Sequence, residues 1–87
     1  MIERRQVWRR DFAAVIEYAS THESAETCKG VTVDICESGL SLYLFRRHAR
    51  GEEITIRTDL PVSPKTASVR WIRRVDESVF RAGLMFV

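Results

Sequence analysis

Two short clusters hold the residues best suited to chemistry. The first is Arg4-Arg5 followed by Arg9, within the stretch ERRQVWRR. The second is Asp34-x-Cys36-x-x-Gly39, which begins twenty-five residues after Arg9. Guanidiniums gathered on one segment grip phosphate oxygens and donate to O6 and N7 of guanine. They also stack on the faces of bases. A carboxylate beside them accepts from guanine N1–H and from the exocyclic N2 amine, a pair of donors that adenine lacks. Gly39 permits a positive φ, which would let the strand turn tightly and a ligand approach the backbone. Brought together, the two clusters would recognise a guanine nucleotide.

The rest of the chain must position them. Its 87 residues make a single domain. A chain of this size buries only about 60–65% of its unfolded surface, so a ligand is expected on the surface rather than in an enclosed site. The apolar share of 45% and the charged share of 30% are those of an ordinary globular protein. The net charge is only +2, yet arginine outnumbers lysine twelve to two. The flat donor fork of arginine suits planar anionic partners better than a lysine point charge does. Cys28 and Cys36 are the only cysteines and read as cytoplasmic thiols. No apolar run approaches the ~20 residues that span a bilayer.

Beyond the polar stretch THESAETCKG, strand signals dominate. VTVDI alternates Val31, Val33 and Ile35 against Thr32 and Asp34. LSLYLF alternates Leu40, Leu42 and Leu44 against Ser41, Tyr43 and Phe45. EITIRT, TASVRWIRR and SVFRAGLMFV are also β-rich, and turn residues separate them. Short strands punctuated in this way predict an antiparallel barrel or sandwich. A barrel leaves fewer open edges. The N-terminal segment reads in two ways. Trp8, Phe12, Val15, Ile16 and Ala19 make a helical stripe. The rival is a basic loop to Arg10 followed by a strand from Phe12.

The clusters, their order and their spacing resemble the PilZ domain, the bacterial receptor module for cyclic di-GMP. Arg5 and Arg9 match its Arg-x-x-x-Arg motif, and Arg4 matches a common preceding arginine. Asp34 and Gly39 match its Asp/Asn-x-Ser-x-x-Gly motif. ASVRWIRR and FRAGLMFV are similar to its last two strands, so the resemblance runs through nearly the whole chain.

The resemblance implies an all-β fold, a six-stranded antiparallel barrel. Residues 1–10 would be a flexible ligand-binding loop carrying the arginines, and residues 11–87 the barrel, with a strand over 12–19. The C-terminal helix of many members would be lacking, since the sequence stops at Val87 after the last strand. The implied ligand is cyclic di-GMP, held by Arg4, Arg5, Arg9, Asp34, Cys36 and Gly39. Arg4 looks suited to holding an intercalated dimer of it. Ordering of the loop would present a surface to a downstream protein. The family serine is Cys36 here, and a thiol is a weak donor. That departure motivates an alternative, an adaptor of the same fold that does not bind nucleotide. A small nucleic-acid-binding barrel is the third reading, and a less favoured one.

Ordinary roles stand beside these. Asp34 also reads as a turn-capping aspartate, and Cys36 as a small buried apolar residue. Trp71, Phe80, Leu84 and Phe86 read as core. Trp8 reads as an anchor for the loop or a stacking surface. His22 and His48 lack metal-ligand spacing with the cysteines. No phosphate loop, nucleophile elbow or catalytic carboxylate pair stands out, so neither cofactor nor catalysis is expected.

Overall fold

The computed structural model describes residues 9–20, 23–61 and 65–87. Arg4, Arg5, Trp8 and His22 lie outside them. The described residues form seven strands and no helix. They are β1 (Arg9–Asp11), β2 (Val15–Ser20), β3 (Glu23–Cys36), β4 (Gly39–Leu44), β5 (Glu53–Ile56), β6 (Thr66–Asp76) and β7 (Val79–Phe86). All pairings are antiparallel, in the order β1-β3-β2-β5-β6-β7-β4. A further β3–β4 pairing closes a six-stranded barrel, with β1 as an added short strand.

The extra strand arises from an interruption. β1 and β2 lie in line along the same edge of β3. Between them Phe12 N–H donates to Val33 O at 3.0 Å, and Thr32 N–H donates to Ala14 O at 2.9 Å. The Thr32 hydroxyl fills the break. It accepts from Ala14 N–H at 3.0 Å and donates to Phe12 O. The helical stripe is therefore not realised. Val15 is 61% exposed, while Ile16 and Tyr18 point into the barrel, the period-two pattern of a strand. The strand expected over 12–19 runs over Val15–Ser20, and Arg9 and Arg10, expected in a loop, lie in β1.

Leucines 40, 42 and 44 face inward as their alternation predicts, against Ile16, Ile35, Ile54, Ile56 and Val69. Burying each of these side chains fully stabilises the fold by roughly 1.5–3 kcal/mol. Phe80 and Leu84 are buried, and Phe86 packs against the core.

Two β-bulges decide what the outer face carries. The β3–β4 register passes from Thr32↔Leu42 to Asp34↔Ser41, so Val33 is the extra residue. The β6–β7 register passes from Val69↔Leu84 to Trp71↔Gly83, so Arg70 is the extra residue. A bulge breaks the alternation and re-aims the side chains beyond it. Thr32 and Val69 stay inside, and Asp34 and Trp71 turn outward. The core role expected for Trp71 is thus corrected: it is 43% exposed.

Candidate functional site

The bulges create one row of outward residues that crosses five strands. Asp11 pairs with Asp34, Asp34 with Ser41, Ser41 with Gly83, and Gly83 with Trp71. Directly paired residues share a face of the sheet. The row therefore sets two carboxylates, a hydroxyl and an indole side by side on the barrel surface. The neighbouring row pairs Arg9 with Cys36, Cys36 with Gly39, and Gly39 with Met85.

The second sequence cluster is thus spread over the β3–β4 corner. The last arginine of the first cluster, Arg9, is laid beside it by the β1 ladder. Arg4 and Arg5 fall outside the described residues.

Asp34 does not act simply as a local turn cap. One carboxylate oxygen accepts from the Ser41 hydroxyl at 2.9 Å. That hydroxyl in turn accepts from Arg81 Nη2 at 3.1 Å. The Arg81 guanidinium carbon lies 5.2 Å from the Tyr43 ring centroid. Its Nε is buried without a hydrogen-bond partner among the described residues. A buried donor left unpaired is costly.

Cys36 is 5% exposed, matching its expected role as a small buried residue, with Sγ 3.3 Å from Ser38 Oγ. Gly39 works differently from the expectation. Gly51, with φ of 89°, holds the positive-φ conformation among the described residues, and Gly39 does not. A Cβ on Gly39 would stand 2.0 Å from the backbone oxygen of Leu84. Glycine is required there because β7 passes too close for a side chain.

Beside this corner lies a surface cleft of about 190 Å³, lined in part by Cys36, Gly39, Ser41, Arg70 and Trp71. The Arg73 guanidinium lies 5.7 Å from the Trp71 ring centroid. Arg70 Nη1 meets Met85 Sδ at 3.1 Å. The site therefore offers arginine donors, the carboxylates of Asp11 and Asp34, and an aromatic face around an open cleft. Such a mixture suits a planar, anionic, hydrogen-bonding ligand.

Sequence reasoning missed Ser41, Arg70, Trp71, Arg81 and Gly83 as parts of this face. Their exposure depends on the two bulges, and period-two alternation carries no mark of those.

A second polar cluster lies at the other end of β2. The Tyr18 hydroxyl is 2.8 Å from His48 Nε2, and His48 Nδ1 is 3.0 Å from Glu52 Oε2. The Ser20 hydroxyl and the Ala49 N–H also donate to the Glu52 carboxylate. Burial opposes ionisation of Glu52. The hydrogen bonds from Ser20, Ala49 and His48 outweigh it and hold the carboxyl below its ordinary range. Burial, reinforced by the neighbouring Cys28 thiol, pushes the Tyr18 phenol well above its ordinary value. This network fastens the 45–52 loop to β2.

No helix among the described residues is long and apolar enough to cross a membrane. No protein-family model and no curated protein matches this sequence.

Proposed function

We propose that the chain is a bacterial cytoplasmic receptor domain for cyclic di-GMP, acting by binding rather than by catalysis. The observation that carries this reading is the β1–β3 register, which sets Arg9 opposite Cys36 and Asp11 opposite Asp34. It lays Arg9, the last arginine of the first cluster, on the strand beside the second cluster. Asp34 would read the N1–H and N2 edge of a guanine. Arg4, Arg5 and Arg9 would take the phosphates and stack on the bases, with a second, intercalated ligand molecule held at Arg4. Gly39 keeps the corner flat. Trp71 offers a further stacking face across the cleft. Ligand bridging the N-terminal arginines to the barrel would create the surface that a downstream protein reads.

Calorimetric titration with cyclic di-GMP tests this, with GMP and cyclic di-AMP as controls. Binding in the micromolar range or tighter is expected, weakening with salt. Arg5→Ala and Asp34→Ala are each expected to weaken it at least tenfold. Absence of heat, together with unmoved amide resonances at Arg9 and Asp34, would overturn the reading.

A second reading is favoured by one observation. Cys36 stands where the motif has serine, and its thiol is buried. An adaptor of the same fold that ignores nucleotide would bind its protein partner equally with and without cyclic di-GMP. Salt-sensitive binding to DNA or RNA that cyclic di-GMP fails to displace would instead identify a nucleic-acid-binding barrel.

A further inference from the structure

The β6–β7 hairpin carries an open edge that the nucleotide reading does not use. β5 pairs with β6 only over Thr66–Ser68, and Val69 exchanges backbone hydrogen bonds with Gly51 and Glu52. Past Val69, the only strand paired with β6 among the described residues is β7. In an antiparallel pair every second residue turns its N–H and C=O away from the partner. Between the irregularities at Arg70 and Val75, the outer edge over Trp71–Arg74 therefore turns backbone donors and acceptors away from β7.

Three of the side chains along this edge are arginines, and the acidic residues Asp76 and Glu77 stand at its far end. Arg70, Arg73 and Arg74 are exposed, and no carboxylate pairs with any of them among the described residues. Arg74 instead donates to the backbone oxygens of Asp76 and Glu77. Arg73 lies on the outer face of the hairpin with Trp71. Arg74 pairs with Phe80 and lies on the other face. There a cleft of about 90 Å³ opens between Ile72, Phe80, Arg74 and Arg47. The Arg47 guanidinium stands 5.8 Å from the Phe80 ring centroid.

We propose that the outer edge of β6 over Arg70–Asp76 takes an acidic, extended segment of a partner protein as an added strand. Strand addition supplies affinity through the backbone and specificity through alternate side chains. Carboxylates on one face of the guest meet Arg73. On the other face its aliphatic side chains lodge over Ile72 and Phe80, beside the stems of Arg74 and Arg47. A second copy of this chain gains less than an acidic guest, because antiparallel self-pairing centred on Arg73 sets that arginine against its own copy and leaves charge attraction only between Arg70 and Asp76. A nucleic acid would use the charge but leave the backbone row unmatched.

The probe is a capped ten-residue peptide of alternating glutamate and valine, added to the whole chain and followed by NMR and hydrogen exchange. Exchange of amides within Arg70–Asp76 is expected to slow at least tenfold. The same peptide methylated at every backbone nitrogen, and its lysine–valine counterpart, are expected to bind at least tenfold more weakly. So is the glutamate peptide toward the double variant Arg73→Glu, Arg74→Glu, whose fold the same spectra monitor. Three outcomes overturn the proposal. One is equal binding by the methylated peptide, which means charge alone. Another is protection that maps elsewhere. The third is tighter binding of a thymidine oligonucleotide to this edge. None of these depends on cyclic di-GMP, whose titration tests the other site separately.

Discussion

Trp71 lies directly opposite Gly83 across the β6–β7 ladder, and a Cβ on Gly83 would stand 2.2 Å from the indole Nε1. The indole thus occupies the space that a side chain at position 83 would fill. Gly83→Ala must displace it. Trp71 is partly exposed on the outer face, so it can swing away with little loss of core packing. The stability change is expected to stay within about 1 kcal/mol. In a Trp8→Phe background, the emission of Trp71 should shift to the red. Affinity for cyclic di-GMP should fall severalfold if the indole face contributes. An unmoved emission spectrum would show that the indole does not lean on Gly83.

Gly39→Ala is expected to behave oppositely, although both residues are glycines opposite β6 or β7 neighbours. The obstructing atom is the backbone oxygen of Leu84 rather than a movable ring. The β4–β7 ladder would have to part at Gly39↔Met85 and Leu40↔Leu84. Overpacking against a fixed backbone costs about 3 kcal/mol or more. Urea unfolding should register a correspondingly lower midpoint. A loss below about 1 kcal/mol would mean that the corner is softer than the close approach implies.

The barrel was legible in the sequence because β4 alternates without interruption and its three leucines fix which face is inside. The N-terminal strand was only half legible. Its apolar residues satisfy a helical stripe as well, and the interruption at 12–14 depends on the hydroxyl of Thr32, twenty residues away from Phe12. The β3–β4 corner was legible at Asp34 and Gly39, whose types are chemically distinctive, although Gly39 serves close packing rather than a positive φ. Their partners were not. Val69 and Trp71 stand two apart and read as one buried face, and only the extra residue Arg70 separates them. A bulge is set by the pairing of distant strands, so local alternation cannot announce it. The same holds for Ser41, which becomes a partner of Asp34 only through the bulge at Val33.

Cys36→Ser tests whether the departure from the motif would weaken the proposed cyclic di-GMP site. The thiol sits at the corner between β3 and β4, paired with Gly39 and 3.3 Å from Ser38 Oγ. A hydroxyl donates a shorter and stronger hydrogen bond than a thiol. One such hydrogen bond to the ligand is worth roughly 0.5–1.5 kcal/mol, or up to about tenfold in affinity. Calorimetry is therefore expected to show tighter cyclic di-GMP binding by the serine variant. Unchanged affinity would assign the main contact at this corner to the backbone around Gly39.

The Tyr18–His48–Glu52 relay predicts a specific acid sensitivity. An ionised carboxylate only accepts, so His48 Nδ1 carries a proton toward Glu52, and Nε2 shares a hydrogen bond with the Tyr18 hydroxyl. The Glu52 carboxyl titrates lower in the folded chain than at its ordinary value of 4.5. The sign comes from linkage: a group with a depressed folded pKa binds fewer protons folded than unfolded. Its stabilisation is complete above about pH 4.5 and is lost as pH falls through the lower, folded value. Glu52→Gln removes that dependence. At pH 7 the variant should be less stable by about 1–3 kcal/mol, the range for a hydrogen bond to a charged group. The gap to the parent should narrow steadily as urea midpoints are followed from pH 5 to pH 3. Tyr18→Phe is the control. It leaves the His48 ring nitrogen short of a partner and should cost about 1–2 kcal/mol at pH 7. Its difference from the parent should not follow the titration of Glu52, because the Glu52 contacts with Ser20, Ala49 and His48 remain. A Glu52→Gln gap that stays constant down to pH 3 would show that these hydrogen bonds do not favour the ionised carboxyl.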